Sequence, residues 1–223
     1  MAGHMDLIQC PSPSFGVRRN NQRPDMVVLH YTAMQSAEVA LERLNAPDVE
    51  VSAHYLISEH GETYQMVDEA MRAWHAGGGA WGAVEDVNSH SIGVELANCS
   101  TETELRPFPN AQMEALEAIL AGVQRRWAIP AARIIGHSDM APDRKFDPGP
   151  KFDWRRLALG GFSVWPDQEN DVGGTWDDFK GCAGVFGYRA PGNDAAGWEH
   201  VLSAFRMRFL PHKTGDLDGV DIA

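Results

Sequence analysis

The stretch Gly136-His-Ser-Asp-Met-Ala-Pro-Asp-Arg-Lys-Phe-Asp-Pro-Gly-Pro150 gathers a candidate metal ligand (His137), a cation (Lys145) and a second candidate ligand (Asp147) into one short segment. Three prolines and two glycines interrupt it. Proline lacks the amide donor that a helix or central strand needs, and glycine raises the entropic cost of ordering. The segment reads as a loop held rigid by proline, and polar loops mounted on a rigid scaffold are where sites tend to sit. Immediately before it, Arg133-Ile-Ile135 reads as a short strand. The same arrangement occurs earlier in the chain, where the apolar run Met26-Val-Val-Leu29 ends at His30. If these two strands are neighbours, His30 and His137 meet at one edge of a sheet.

Outward from these strands, the pattern predicts alternating helices and strands. Ser36 to Leu44 is a short amphipathic helix with Ser36 as its cap, ending near Asn45-Ala-Pro47. Val51-Ser-Ala-His-Tyr-Leu-Ile-Ser58 and Thr63-Tyr-Gln-Met-Val67 read as the arms of a hairpin whose turn uses Gly61. Ser91-Ile-Gly-Val-Glu-Leu-Ala97 is a strand with the acid Glu95 inside an apolar pattern, and an unpaired core charge is expensive enough to need an explanation. Asn110 to Trp127 is the clearest helix, with Met113, Leu116, Ile119, Leu120 and Val123 on one face, Asn110 as its cap and Pro130 beyond its end. Phe152 to Ala158 closes this unit with one or two helical turns. After Gly160 the chain turns rich in Gly, Asp, Trp and Pro, and only Gly197 to Leu210 reads there as a helix.

Composition narrows the function. A chain of 223 residues with 43% hydrophobic residues can bury a substantial core, and a net charge of −12 argues against nucleic acid or an anionic membrane as partner. The three cysteines, Cys10, Cys99 and Cys182, are too few and too scattered for a disulfide framework or a thiolate zinc site, so a metal centre must use histidine and carboxylate. No apolar run approaches the ~20 residues of a membrane span. A basic region followed by an apolar stretch is absent from the start, which makes the cytoplasm the expected compartment, with release to the cell wall by another route as the alternative. Met1-Ala-Gly-His-Met5 reads as a cloning scar over residues 1–4 and is set aside.

Catalytic zinc sites use three His or carboxylate ligands and leave one position open, a rule that His30, His137 and Asp147 fit. Spacing alone does not single them out among nine histidines and thirty-one acids. The wording of the motifs does. Leu29-His-Tyr-Thr-Ala33, Ser52-Ala-His-Tyr-Leu-Ile57, Ala73-Trp-His-Ala-Gly77, Ser91-Ile-Gly-Val-Glu-Leu96 and the 136–150 stretch occur in the order found in zinc-dependent N-acetylmuramoyl-L-alanine amidases of type 2. From residue 11 to residue 158 the chain closely resembles that family.

The resemblance implies an α/β (α+β) fold shared with peptidoglycan recognition proteins, a central mixed sheet flanked by helices. It implies one Zn2+ per chain on His30, His137 and Asp147, with Glu95 and Lys145 as catalytic residues. The implied reaction is hydrolysis of the amide between the lactyl group of N-acetylmuramic or anhydro-muramic acid and L-alanine, in peptidoglycan or muropeptides. Tyr31, Trp74, His75 and Arg144 are candidate substrate contacts; for His54 and His75 the first reading is structural support of the ligands. The expected organisation is a catalytic domain over residues 6–160 and a small appendage over 161–223, similar to a reduced peptidoglycan-binding module, in a monomer. A recognition module that binds in the same groove without cleaving is the alternative, weakened because no ligand is missing. A zinc peptidase of the HExxH kind is excluded by the absence of that motif.

Overall fold

The computed structural model describes residues 7–166 and 173–222. Its regular elements are β1 (Leu7–Gln9), β2 (Phe15–Val17), β3 (Met26–Tyr31), α1 (Ala37–Asn45), β4 (Tyr55–Ile57), β5 (Thr63–Gln65), β6 (Met71–Ala73), α2 (Val87–His90), β7 (Ser91–Leu96), α3 (Asn110–Trp127), β8 (Ile134–Gly136), α4 (His137–Met140), α5 (Trp154–Leu159), α6 (Trp176–Phe186) and α7 (Ala195–Phe209). Six strands form one mixed sheet in the order β1-β5-β4-β7-β3-β8, in which only the β4–β5 pair is antiparallel. A separate antiparallel pair joins β2 to β6. This is the central mixed sheet with flanking helices that the sequence predicts.

Alternation along the central strands decides what each face carries, because successive side chains in a strand point to opposite sides. Val27 and Leu29 of β3, Ile92, Val94 and Leu96 of β7 and Ile134 of β8 pack on one side with Leu116, Ile119, Leu120 and Val123 of α3 and with Trp154 and Leu157 of α5. The intervening residues of β3 and β8, Met26, Val28 and Ile135, pack on the other side with Phe179 and Ala183 of α6 and with Val201, Leu202 and Ala204 of α7. A third cluster seats Ala37, Ala40 and Leu44 of α1 on Leu56 of β4. His30 continues the Met26–Val28 parity, and Glu95, its Cα partner in register, has the parity opposite to Val94 and Leu96. Both polar side chains therefore leave the sheet on the same face, at the C-terminal ends of central parallel strands.

Helix α1 begins at Ser36, whose side chain accepts from the Val39 amide, and Gly61 adopts φ +88° in the β4–β5 turn, as the sequence predicts. Four local expectations need correction. The strand read over 51–58 is regular only at Tyr55–Ile57, because the His54 carbonyl takes both the Met66 and the Val67 amides, at 2.9 and 3.4 Å, which breaks the pairing with the return strand, and the Ser52 amide turns to the Trp74 carbonyl. Its partner likewise ends at Gln65, not Val67. At α3, the cap position falls on Pro109, and Asn110 lies inside the helix, bonding Glu114 at 2.7 Å and receiving Arg156 at 2.6 Å. The stretch 136–150 is not wholly irregular, since its first residues close one helical turn, His137–Met140.

The largest omission is α6. Gly181 and Gly184 weaken its periodicity, but its start carries a legible signal: Thr175 and Asp178 form a reciprocal capping box, with the Thr175 amide donating to Asp178 at 2.8 Å. Burial of Phe179 and Ala183 against α7 and the sheet stabilises what propensity alone does not. Residues 173–222 thus share a core with strands β3 and β8. Among the described residues no helix is long and apolar enough to cross a membrane.

Truncating Phe179, 1% exposed, to alanine should cost about 3–5 kcal/mol. Because the cluster spans sheet and C-terminal helices, the loss should lower one common unfolding transition, followed together by tryptophan fluorescence and far-UV circular dichroism. Two separated transitions would instead mark residues 173–222 as an independently stable unit.

Candidate metal centre and active site

Strand β3 delivers His30, and β8 runs into α4 to deliver His137; the two strands pair in parallel, so both imidazoles emerge side by side. Asp147 returns from the proline-rich loop, which is tied down by the Ser138 amide donating to the Asp147 carbonyl at 2.9 Å and the Lys145 amide donating to the Ala141 carbonyl at 3.0 Å. The result is a tight triangle. His30 Nδ1 and His137 Nδ1 lie 3.0 Å apart, and Asp147 Oδ2 lies 3.0 Å from the first and 3.1 Å from the second. His30 and His137 are buried, at 2% and 3% exposure.

Hydrogen-bond partners fix where the ring protons are. The far nitrogen of His137, Nε2, faces the Ala76 carbonyl at 3.0 Å, which can only accept, so Nε2 carries the proton and Nδ1 offers a lone pair. For His30 the assignment runs through two more residues. Ser91 spends its single hydroxyl proton on the Val87 carbonyl at 2.6 Å, and so it accepts from His75 Nε2 at 3.1 Å. His75 Nδ1 is then an acceptor, 3.0 Å from His30 Nε2, which donates to it. His30 Nδ1 is left with a lone pair as well. Two imidazole lone pairs and a carboxylate oxygen therefore converge with no proton among them, an arrangement suited to a cation, and this donor set can hold a metal ion.

The electrostatics agree. Burial, followed by the neighbouring His137, lowers His30 to about 4, so its imidazole is neutral at pH 7. Burial alone would raise the Asp147 carboxyl, but positive charge beside it, whether a proton on His137 or His30 or a cation in its place, holds it below the usual carboxylate range. Glu95 behaves oppositely: burial, and then the charge of Asp147, push it up to about 8, against a smaller lowering by Lys145. Its Oε2 is buried without a hydrogen-bond partner among the described residues. Two carboxyl groups driven apart in this way, in one cavity, are the pattern by which a site separates a ligand from an acid–base group.

That cavity, of about 410 Å³, is lined by His30, His137, Asp147, Glu95 and Lys145, and also by Tyr31, Trp74, His75 and Arg144, so every site residue singled out from the sequence borders it. Tyr31 is pushed up to about 12 by burial and by Asp147, and so it remains a neutral phenol. His75 has both ring nitrogens committed within the protein. Arg144 donates to the same Ala76 carbonyl as His137, at 3.0 Å. His54 lies outside the cavity lining: its Nδ1 accepts the Gly93 amide at 2.9 Å, and burial lowers it to about 3. Two supporting residues were not evident from sequence. Asn88 accepts the His75 and Ala76 amides at 3.1 and 2.9 Å and shapes the 73–77 loop, and Ser91 ends the chain of ring protons. Neither carries a local motif, although Ser91 opens the strand that bears Glu95.

Comparison with known proteins agrees with this geometry. Residues 20–150 match the N-acetylmuramoyl-L-alanine amidase family. The chain is similar to AmiD of Escherichia coli (strain K12), 34% identical over 184 residues, a match spanning 75% of this chain and 66% of AmiD. It is similar also to the 1,6-anhydro-N-acetylmuramyl-L-alanine amidase AmpD of Enterobacter cloacae, 35% identical over 170 residues, 69% of this chain and 89% of that one. Among solved structures, AmiD from E. coli in complex with anhydro-N-acetylmuramic acid-L-Ala-D-gamma-Glu-L-Lys superposes with a TM-score of 0.79 at 30% identity, over 91% of this chain and 88% of that one. AMPDH3 from Pseudomonas aeruginosa in complex with anhydromuramic pentapeptide gives 0.80 at 29% identity, over 91% and 90%. The chain belongs to the N-acetylmuramoyl-L-alanine amidase family. It is an amidase, a hydrolase of the carbon–nitrogen bond.

The raised Glu95 has a consequence for the metal-free protein. The folded chain binds this proton more tightly than the unfolded chain, where the value is 4.5. Its contribution to stability is therefore fully present below 4.5 and is lost as pH rises through about 8. Urea midpoints of metal-free wild type and Glu95→Gln, measured from pH 4 to 9, should diverge over that window, with the variant gaining relative stability at the alkaline end. Parallel curves would contradict the assignment.

Proposed function

We propose that this chain is a zinc-dependent N-acetylmuramoyl-L-alanine amidase that cleaves the amide between the lactyl group of N-acetylmuramic or anhydro-muramic acid and L-alanine. The observation that carries the proposal is the convergence of three proton-free ligand atoms on His30, His137 and Asp147 beside an unpartnered Glu95. Zinc bound there would acidify water and polarise the scissile carbonyl. Glu95, whose ionised form Lys145 favours, would take a proton from the attacking water and pass it to the departing alanine nitrogen. Lys145, on the cavity wall, stabilises the developing oxyanion. His75 and Ser91 hold His30 in its liganding tautomer, and the Ala76 carbonyl does so for His137.

The rim supports substrate recognition. Tyr31 and Trp74 offer faces to the sugar or peptide, and the exposed guanidinium of Arg144 suits a stem-peptide carboxylate. Every group named comes from one chain, so one zinc per chain in a monomer suffices. Support for a muropeptide as substrate comes from the two similar structures that hold anhydromuramyl peptides.

Glu95→Gln and Lys145→Ala should each retain zinc, measured by atomic absorption after dialysis, while turnover of a soluble anhydro-muropeptide falls at least tenfold, about 1.4 kcal/mol of barrier. Full activity in either variant removes that residue from the mechanism. His137→Ala should lose both metal and activity, and chelation should abolish activity in wild type until zinc is returned. Parallel assays on intact sacculi would separate a recycling enzyme, active on the soluble substrate, from one that acts on the wall. A protein that binds no zinc and releases no peptide from either would overturn the proposal.

A further inference from the structure

Residue 139 belongs to the metal-binding segment yet takes no part in the centre. Asp139 lies two positions after His137, is 1% exposed, and turns its carboxylate away to three donors. Its Oδ2 accepts the Gly136 amide at 2.8 Å and Arg208 Nη1 at 2.7 Å, and its Oδ1 accepts the Tyr188 hydroxyl at 2.6 Å. The first bond is local, closing the turn around His137. The other two come from the C-terminal segment, Arg208 from α7 and Tyr188 from just beyond α6.

Arg208 is as buried as its partner, with a side-chain exposure of 1%. Its Nη2 donates to the Ile134 carbonyl at 3.1 Å and to Ser163 Oγ at 3.1 Å, and its guanidinium lies over the Trp154 ring, 4.0 Å from the centroid. One rigid fork thus grips the chain on both sides of His137: Ile134, in the strand that leads in, and Asp139, in the turn that leads out. A buried ion pair of this kind contributes little net stability against an apolar replacement, so its value lies in the geometry it imposes.

We propose that Arg208, assisted by Tyr188, is a positioning residue of the metal centre. It fixes the 134–139 turn so that His137 Nδ1 meets His30 Nδ1 and Asp147 Oδ2, and the C-terminal segment is thereby part of the machinery that holds the ion. The inference rests on His137 being a metal ligand. It predicts that residues far along the chain, with no contact to substrate, set zinc affinity. Asp139 would transmit the constraint: with Arg208 removed, its carboxylate is left buried with the hydroxyl and one amide as partners, and the turn must shift or hydrate.

The test measures Zn2+ affinity of the full-length protein by competition with a chromophoric chelator. Arg208→Met, which keeps length and removes charge, should weaken zinc binding about tenfold or more, the range seen when groups supporting a ligand are lost. Tyr188→Phe, nearly isosteric, should weaken it by a smaller factor, about fivefold, the effect of losing one hydrogen bond. The double variant Arg208→Met/Asp139→Asn should bind zinc no more weakly than Arg208→Met alone, because the stranded charge has gone. Arg206→Met is the control for a purely structural effect: Arg206 lies on the same helix, and among the described residues its side chain bonds only Asp221 and the carbonyls of Gly215 and Asp216 in the tail. It should lower the thermal midpoint and leave zinc affinity within about twofold. If Arg208→Met does not fold, Tyr188→Phe carries the test.

Wild-type affinity in a folded Arg208→Met variant, or in Tyr188→Phe where that variant alone folds, overturns the proposal. So does an equal loss in Arg206→Met. Failure of the underlying metal assignment is distinguishable, since wild type itself would then take up no zinc.

Discussion

Three lone pairs within 3.1 Å of one another, with no proton between them, are the constraint around which this molecule is built. Left to themselves, two imidazoles and a carboxylate at these separations would exchange tautomers or draw in a proton and pair up. Tautomer exchange is opposed by groups behind them: the Ala76 carbonyl for His137, and the His75–Ser91–Val87 sequence for His30. Parallel pairing of β3 with β8 sets the spacing of the two rings, and the turns of the 136–150 loop bring the carboxylate back to them. The scaffold holds an electrostatically unfavourable arrangement that could accept a cation.

Sheet alternation explains why the chemistry shares one face. Apolar residues of β7 at 92, 94 and 96 are committed to the α3 layer, which forces 93 and 95 to the other side. On that side α1 covers one part of the sheet and α6 with α7 another. The site opens beside α1, which contributes Arg43 and Leu44 to its wall. Glu95 is costly there, as an acid in an apolar pattern must be, and its raised proton affinity is the measure of that cost.

Much of this was legible in the sequence because the relevant signals are local. A β-branched run ending in histidine, the Ser36 cap, the Gly61 turn and the apolar face of α3 each show within a dozen residues. Strand length at 51–58 was not legible, since it depends on the His54 carbonyl taking two successive amides, Met66 and Val67, and on the Ser52 amide finding the Trp74 carbonyl. Helix α6 was hidden by two glycines, and its stability comes from Phe179 meeting α7 and the sheet. The five residues expected to hold the metal and move protons line one cavity, together with the four expected at its rim. The supports of that arrangement were not legible, because Asn88, Ser91 and Arg208 acquire their meaning only from partners brought close by folding.

Gly93 couples two of these motifs in a way that bears on how such a site can change over generations. A β-carbon at position 93 would sit 2.4 Å from Cγ of His75, so the strand residue can grow only if the imidazole shrinks or leaves. Shrinking the imidazole breaks the proton order behind His30. Positions 93 and 75 are therefore coupled, and a change at either one alone disturbs the packing or the hydrogen bonds behind His30. The hydrogen atom that serves as the side chain of residue 93 is in this sense as constrained as the ligands themselves.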